Sequence, residues 1–434
     1  MELFVDQRRL FEKLCAKEYL EEGFKAVRRN GGSPGIDKVT HQEFGMRLDE
    51  ELERLKEELE SWTYSPQPVR RVEIPKPGKG AGVRLLGVPC VRDRVVQATI
   101  KNLLEPILEP VFSSNSYGFR PGRNQRQAVQ AARKIVRSGK EYVVDIDLSK
   151  FFDRVNHDRL LSRLSSNIPD KRILRIIGMT LRSGVMKDGL FSSTTEGTVQ
   201  GSPLSPLLSN VVLDELDKEL ESRGHEFCRF ADDCNIFVRS LKSAQRVMKS
   251  LGKFIETRLK LEINREKSKV GLSRGVKFLG MTIIEGTIAI SKSSMNRAMA
   301  KVKELTPRGS HVKAEETIEQ FNTWYTGWSG YYSMTEYPSQ LRNIEAHFRR
   351  RMRSRFIDQH KKRRHLYDKL VKLKVSEKMA AWVFSNKGRW ALSNIKAVTK
   401  GYSNRWFIEE MKQKIKSTEA HPHWFSPDQW IKVT

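Results

Sequence analysis

The stretch FCRFADDCNIFV, Phe227–Val238, constrains this chain more than any other. Two aspartates, Asp232 and Asp233, stand side by side with apolar or aromatic residues on both flanks. The flanks have the makeup of strands, and Ala231-Asp232-Asp233 reads as the tight turn between them. Adjacent carboxylates repel each other, and a carboxylate is costly to desolvate. Such a hairpin is either a solvated turn, for which Asp is well suited, or the tip of a cation site in a cleft. The hairpin alone leaves both readings open.

A second stretch moves the balance. EYVVDIDLSKFFD, residues 141–153, reads as a strand running into a helix start. Side chains alternate along a strand, so Asp145 and Asp147 share one face and Val144 and Ile146 the other. Capping of the following turn by Asp147 or Ser149 is the competing reading. Hard divalent ions such as Mg²⁺ take carboxylate oxygens and keep several waters. Three carboxylates from a strand end and a neighbouring hairpin suit two ions about 3.5–4 Å apart, the arrangement for in-line phosphoryl transfer.

The bulk of the chain names the class of partner. Lys plus Arg is 79 against 52 Asp plus Glu, a net charge of +27. That surplus favours a polyanion, with nucleic acid first and an anionic membrane second. No apolar run reaches the roughly 18 residues of a membrane span, and the N-terminus has no secretory pattern. The four cysteines (15, 90, 228 and 234) form no C-x-x-C pair. They argue against a disulfide framework or cysteine zinc site, and for a reducing compartment. With 434 residues, two to four domains are expected.

Helical patterns cover 1–30, 47–60, 93–112, 170–182, 204–223 and 241–260, with hairpins in VRRVEIPKPGKGAGVRLLGVP and GVKFLGMTIIEGTIAI. Beyond TPRGSH, residues 306–311, the chain is mainly helical and rich in Trp, Tyr and Arg. In FNTWYTGWSGYY, the near-helical spacing of Trp324, Trp328, Tyr331 and Tyr332 favours core positions for some of these rings. Residues 341–374 hold 13 Lys/Arg against 3 Asp/Glu, a local net of +10. That imbalance suits a surface that tracks phosphates. Arg349, Arg350, Arg351, Arg353, Arg355, Lys361, Lys362, Arg363 and Arg364 are its expected nucleic-acid contacts. Interleaved aromatics are able to stack on unpaired bases.

The order VDIDLSKFFD, VQGSPLSPLLSN, FADD, LEINREKSKV and VKFLGMTI resembles a reverse transcriptase palm. With NGGSPGID, RRVEIPKPGKGAGVRLLGVP and SYGFRPGRNQRQAV upstream, the chain resembles the reverse transcriptase/maturase encoded inside bacterial group II introns. The likeness covers roughly residues 20–410. It implies an α+β right-hand polymerase fold: an N-terminal extension and fingers over 1–140 and a palm with an antiparallel sheet over 141–290. An all-α thumb/maturase domain over 291–400 and a basic tail over 401–434 follow. Asp147 matches the motif A ligand, five residues before Phe152-Asp153, and Asp232 and Asp233 match the motif C pair. Asp145, on the same strand face, is a fourth candidate ligand.

By the same resemblance Phe152 is the steric gate against a 2′-hydroxyl, though its ring also suits a core. Lys76 and Arg84 belong to a fingertip over the incoming triphosphate, or to a basic loop on RNA phosphates. Gln200, in QGSP, belongs to the loop under template and nucleotide, or to an ordinary turn. Lys267 matches a lysine that protonates the leaving pyrophosphate, and on charge alone is a surface lysine. Two departures stand out: FADD where YADD is usual, and VQG where PQG is usual. Neither touches an expected metal ligand.

The function implied is RNA-directed DNA synthesis on two Mg²⁺ ions, with Mn²⁺ as a substitute. It comes with intron RNA binding that assists splicing, and with mobility by target-primed reverse transcription. The partners implied are intron RNA, an RNA template with a DNA or RNA primer, target DNA and dNTPs. The protein is expected in the bacterial cytoplasm, on the nucleoid when DNA-bound, as a monomer or homodimer, without a membrane. Many relatives end in an H-N-H endonuclease with paired cysteines, and none is expected here, since the last cysteine is Cys234. The alternatives are a domesticated relative in DNA repair or phage defence, and an RNA-binding splicing factor with a silent polymerase.

Overall fold

The computed structural model describes residues 9–75, 82–187, 189–307, 311–360 and 362–416. The chain divides into two compact units between Leu272 and Ser273. The hairpin of residues 281–290 belongs to the second unit, with the helices that follow.

The first unit has one continuous apolar core, from Leu10 to Ile263. Helix Leu48–Glu60 buries Leu52, Leu55 and Leu59 and turns its Glu, Lys and Arg outward. Helix Lys17–Asn30 packs Leu20, Phe24 and Val27 inward. Thr99 of helix Val91–Leu108 donates to the Tyr19 carbonyl at 3.2 Å.

Eight strands follow in chain order: β1 (Val69–Pro75), β2 (Val83–Val88), β3 (Tyr142–Ile146), β4 (Val185–Lys187), β5 (Leu190–Ser192), β6 (Glu226–Phe230), β7 (Asp233–Val238) and β8 (Lys269–Leu272). They form two sheets, β2-β1-β4-β5 and β6-β7-β3-β8. The second is antiparallel throughout, with β3 between β7 and β8. Val144 and Ile146 are fully buried on one face, which leaves Asp145 and its sheet neighbour Asn235 on the other. The β3–β7 ladder ends at Ile146 opposite Cys234, so the next step sets Asp147 beside Asp233.

Both expected hairpins, β1–β2 and β6–β7, form. The expected helix start after β3 shrinks to one 3-10 turn, Phe151–Asp153. Its N-cap is Lys150 with no side-chain capping bond, so neither Asp147 nor Ser149 caps it. Helix Gln125–Arg137 was not anticipated, although Asn124 and Gln127 form a capping box at its start. The three-residue strands β4 and β5 carry too little pattern to read from sequence.

The second unit opens with β9 (Met281–Ile284) and β10 (Thr287–Ile290), the last expected hairpin. Gln340 clamps its end, accepting from Ile290 N–H at 2.7 Å and donating to the Ile290 carbonyl at 2.8 Å. Three long helices follow, Lys292–Leu305, Ala314–Tyr332 and Pro338–Gln359, then shorter ones. Phe321 stacks on Phe348 at 3.8 Å and on Tyr325 at 5.1 Å. In the aromatic run, Tyr325 and Tyr332 are core, while Trp324, Trp328 and Tyr331 keep part of their surface. Among the described residues, no helix is long and apolar enough to cross a membrane.

Candidate active site

The Asp232-Asp233 tip is a two-residue turn. Phe230 pairs with Asp233, and Ala231 lies in the left-handed region at φ 56°. Segment 115–118 runs beside β6, with Tyr117 N–H donating to the Arg229 carbonyl at 2.8 Å. Gly118 passes so close that a Cβ there would meet Ala231 N at 2.3 Å. Beneath the tip lies Arg229, fully buried. It donates to Ala231 O at 3.0 Å, Asn210 Oδ1 at 3.0 Å and Asp217 Oδ1 at 2.7 Å. Asn210 in turn donates to Gly118 O at 2.9 Å. Sequence reading missed this support. Its one signal was an arginine set between apolar neighbours in FCRF.

Asp147 is held through its backbone. Its N–H donates to Ser268 Oγ at 3.0 Å, and its carbonyl accepts from Asn264 N–H at 2.9 Å. Asn235 Nδ2 reaches Asp145 Oδ1 at 3.3 Å and Asp233 Oδ1 at 3.4 Å, so one amide links these carboxylates. Burial, and then the charge of Asp147, pushes the Asp232 carboxyl above the ordinary range, while Arg84 and Arg229 pull it down.

The donor set fits a hard divalent cation. Asp147 and Asp232 are oxygen donors close enough to repel, and a cation between them removes that repulsion. Among the described residues, no three His, Cys, Asp or Glu side chains form a closed cage. Mg²⁺ ordinarily binds through one or two carboxylates, waters and substrate phosphates rather than an all-protein cage.

Arg84, Phe152, Gln200 and Asp232 line one cleft of about 1050 Å³. Residues from four separate stretches thus meet. Arg94, Lys101, Arg120 and Arg123 line it too, and none of them was anticipated. The Gln200 loop is tied to β2 by Gly87 N–H donating to Gln200 O at 2.8 Å. It is tied to the Phe152 segment by Thr198 N–H donating to Phe152 O at 2.6 Å. Gly201 has φ 116°, and a Cβ there would meet Gly87 O at 2.7 Å. Lys267 is exposed on the loop that grips Asp147 and does not line the cleft. Lys76 lies outside the described residues.

In the second unit, three of the expected nucleic-acid contacts face inward. Arg353 donates to Tyr402 O at 2.8 Å, Arg355 to Thr317 Oγ1 at 2.8 Å, and Arg349 to Gln413 Oε1 at 3.4 Å. All three are buried, and their guanidiniums are engaged within the second unit. Arg350 and Arg351 are half-buried, Arg363 reaches Lys387 O at 3.1 Å, and Lys362 and Arg364 are exposed. Lys361 lies outside the described residues. Periodicity does not sort these arginines, because residues 352–357 are buried on all sides of the helix.

The family described as reverse transcriptase (RNA-dependent DNA polymerase) matches residues 74–283, and the group II intron, maturase-specific domain matches residues 295–374. Protein YkfC of Escherichia coli (strain K12) is 32% identical over 318 residues, covering 64% of this chain and 83% of that protein. The chain belongs to the group II intron-encoded reverse transcriptase/maturase family. It is an RNA-directed DNA polymerase of the right-hand fold, followed by a helical maturase region.

The group II intron-encoded protein LtrA of Lactococcus lactis subsp. cremoris is 27% identical over 341 residues. That match covers 63% of this chain and 56% of LtrA, so the chain spans little more than half of that relative. Among solved structures, the partial Cas6-RT-Cas1–Cas2 complex matches with a TM-score of 0.38 and 25% identity, covering 57% of this chain and 42% of that one. Reverse transcriptases use divalent metal ions. A maturase domain implies intron RNA as a partner, and reverse transcription implies a template and a primer.

Proposed function

We propose that this chain copies intron RNA into DNA at the cleft of Asp232 and binds the same RNA through its second unit. The observation that carries the reading is the meeting of Asp232, Arg84, Phe152 and Gln200 in one cleft, with Asp147 beside Asp232. In the reaction, the primer 3′-oxygen bonds to the α-phosphorus of a dNTP, and the bond to the β-phosphate oxygen breaks to release pyrophosphate. Asp147, Asp232 and Asp233 would hold two Mg²⁺ ions, or Mn²⁺ in their place. When bound, these supply charge neutralisation at the attacking and leaving oxygens.

The protein residues do the rest. Arg84 neutralises the triphosphate across the cleft from Asp232. Phe152 sets its ring where a 2′-hydroxyl would sit, and so selects deoxynucleotides. The Gln200 loop, fastened to Gly87, supports the template and nucleotide. Lys267, on the loop that fixes Asp147 and outside the cleft lining, is the proposed proton donor to the pyrophosphate as that product leaves. Assistance to splicing, reverse splicing into target DNA and residence in the cytoplasm and nucleoid complete the proposal. Its support is the maturase-specific match and the charge of +27.

The test is primer extension on a long RNA template with Mg²⁺ and dNTPs, for the wild type and for the double variant Asp232→Ala/Asp233→Ala. RNA binding is measured on both. Loss of synthesis with retained binding supports the reading. A wild type that binds RNA but extends no primer defeats the polymerase half.

A further inference from the structure

The second unit contains a basic, aromatic-edged cavity that shares no lining residue with the cleft of Asp232. It measures about 870 Å³ and is lined from helices Lys292–Leu305, Pro338–Gln359 and Arg389–Leu392. A volume of that order accommodates a group the size of a small-molecule ligand. Its lining includes Lys303, Arg351, Arg355 and Arg389 and no carboxylate. Three of these cations are fixed by the fold. Arg351 donates to Thr306 O at 2.5 Å, Arg355 to Thr317 Oγ1 at 2.8 Å, and Arg389 pairs with Asp358. Lys303 is exposed, and among the described residues none pairs with it.

Trp390 also lines the cavity and keeps 42% of its surface exposed. The Arg350 guanidinium lies 4.2 Å from its ring centroid, a cation–π contact that helps hold the indole in place. His347 stands edge-on to it at 6.4 Å. Burial, then the charges of Arg351 and Arg350, push the His347 imidazole below its ordinary range. The wall thus offers a fixed aromatic face beside a cationic rim. That combination suits a base with its phosphate, whereas a bare anion has no use for the rings.

We propose that this cavity captures one unpaired nucleotide of RNA, its base against Trp390 and its phosphate against Lys303. The proposal rests on the RNA-binding reading above. Lys303, His347 and Arg351 all fall within the maturase-specific match, residues 295–374. An unpaired nucleotide is required because the bases of an A-form duplex are stacked on one another and its deep groove excludes side chains.

The test measures binding of the full chain by fluorescence anisotropy to three probes. These are a short unstructured RNA strand, the same RNA annealed to its complement, and a DNA strand of the same sequence. Trp390→Ala is expected to weaken single-stranded RNA about tenfold and to leave duplex RNA unchanged. Trp390→Phe restores most of the loss, because a phenyl ring still stacks. Lys303→Ala is expected to reduce the slope of log affinity on log salt by about 0.7 for the single strand.

Unchanged single-strand binding in both variants overturns the pocket, as does an equal loss on the duplex. An equal loss on the DNA strand overturns the assignment to RNA. A wild type that binds neither RNA probe overturns the RNA-binding reading itself, and does so without reference to any variant.

Discussion

Arg229 and Asp217 form a fully buried ion pair directly beneath the Asp232-Asp233 hairpin. The same guanidinium holds the Ala231 carbonyl at 3.0 Å, so the pair is coupled to the turn that carries Asp232. Removing one partner of such a pair leaves an uncompensated buried charge and costs about 3–5 kcal/mol. Asp217→Ala is expected to lose that much in urea denaturation. The double variant Arg229→Met/Asp217→Leu is expected to recover most of the stability, because no charge remains buried. Its primer extension stays low, because nothing then holds Ala231 O and Asn210. Full activity in the double variant would show that the pair supports the core and not the tip.

Asp232 carries a second prediction. Burial and the charge of Asp147 raise its folded pKa above the unfolded value. A carboxyl raised on folding favours the protonated native state. Stability is therefore full below the unfolded pKa and falls as pH rises toward the folded one. Once ionised, Asp232 opposes folding of the metal-free protein, and a divalent cation bound there would relieve it. Mg²⁺ is expected to raise the wild-type melting temperature at pH 7 by a few degrees, and a chelator to reverse the gain. Asp232→Asn is expected to melt higher than the metal-free wild type, to lose the Mg²⁺ response and to make no DNA.

Asp93 gives a larger pH effect away from the chemistry. It is 1% exposed, and burial pushes its carboxyl up to about 6, against hydrogen bonds from Tyr64 Oη and Gln67 N–H. Ionising it in the folded state costs about 3 kcal/mol relative to an ordinary Asp. That stability is present at acid pH and is lost as pH rises from about 4 to about 6. Urea denaturation at pH 4.5 and pH 7 is expected to show the fall in the wild type. In Asp93→Asn the pH-dependent fall disappears, although the Gln67 bond is weakened at both pH values.

The parts of this protein legible in its sequence were those in which local pattern and chemistry agree. β6 and β7 announced themselves because a short Asp-bearing turn lies between two apolar strands. The β3 face followed from simple alternation, with Val144 and Ile146 inward. The support beneath the hairpin was not legible, because Gly118, Asn210, Asp217 and Arg229 come from three separate segments that only the fold joins. The basic run of the second unit is legible only in part for a related reason. Charge density marks a helix as basic, but it does not say which guanidiniums turn inward to meet the Tyr402 carbonyl or Thr317. Strands β4 and β5 were invisible because three residues carry no period.

Phe152 tests the proposed gate. Its ring lines the cleft with Asp232, and its backbone is held by Thr198. Phe152→Ala removes the ring without disturbing that backbone bond. Steric exclusion by a pocket wall typically discriminates on the order of 10–200-fold. Single-nucleotide extension with paired dNTP and rNTP is expected to show ribonucleotide use rising within that range, with dNTP use falling much less. An unchanged ratio would return Phe152 to the role of a core aromatic.

Gly201 offers the most local test of how the cleft is assembled. Its φ of 116° lies where an L side chain is strained, and an added Cβ would sit 2.7 Å from the Gly87 carbonyl. Gly87 cannot yield easily, because its own N–H is bonded to Gln200 O at 2.8 Å. Gly201→Ala must therefore either break that bond or move the loop off β2, at a backbone cost of about 1–3 kcal/mol. The loop borders the cleft and lies outside the main core, so the fold is expected to survive with a modest drop in melting temperature. Primer extension is expected to fall mainly through a higher KM for the dNTP, since the displaced loop no longer supports the nucleotide. Gly87→Ala meets Val199 and Val69 side chains instead, at 2.4 and 2.7 Å. It is expected to destabilise the strand packing without that selective rise in KM, and comparing the two variants separates loop position from general loss of stability.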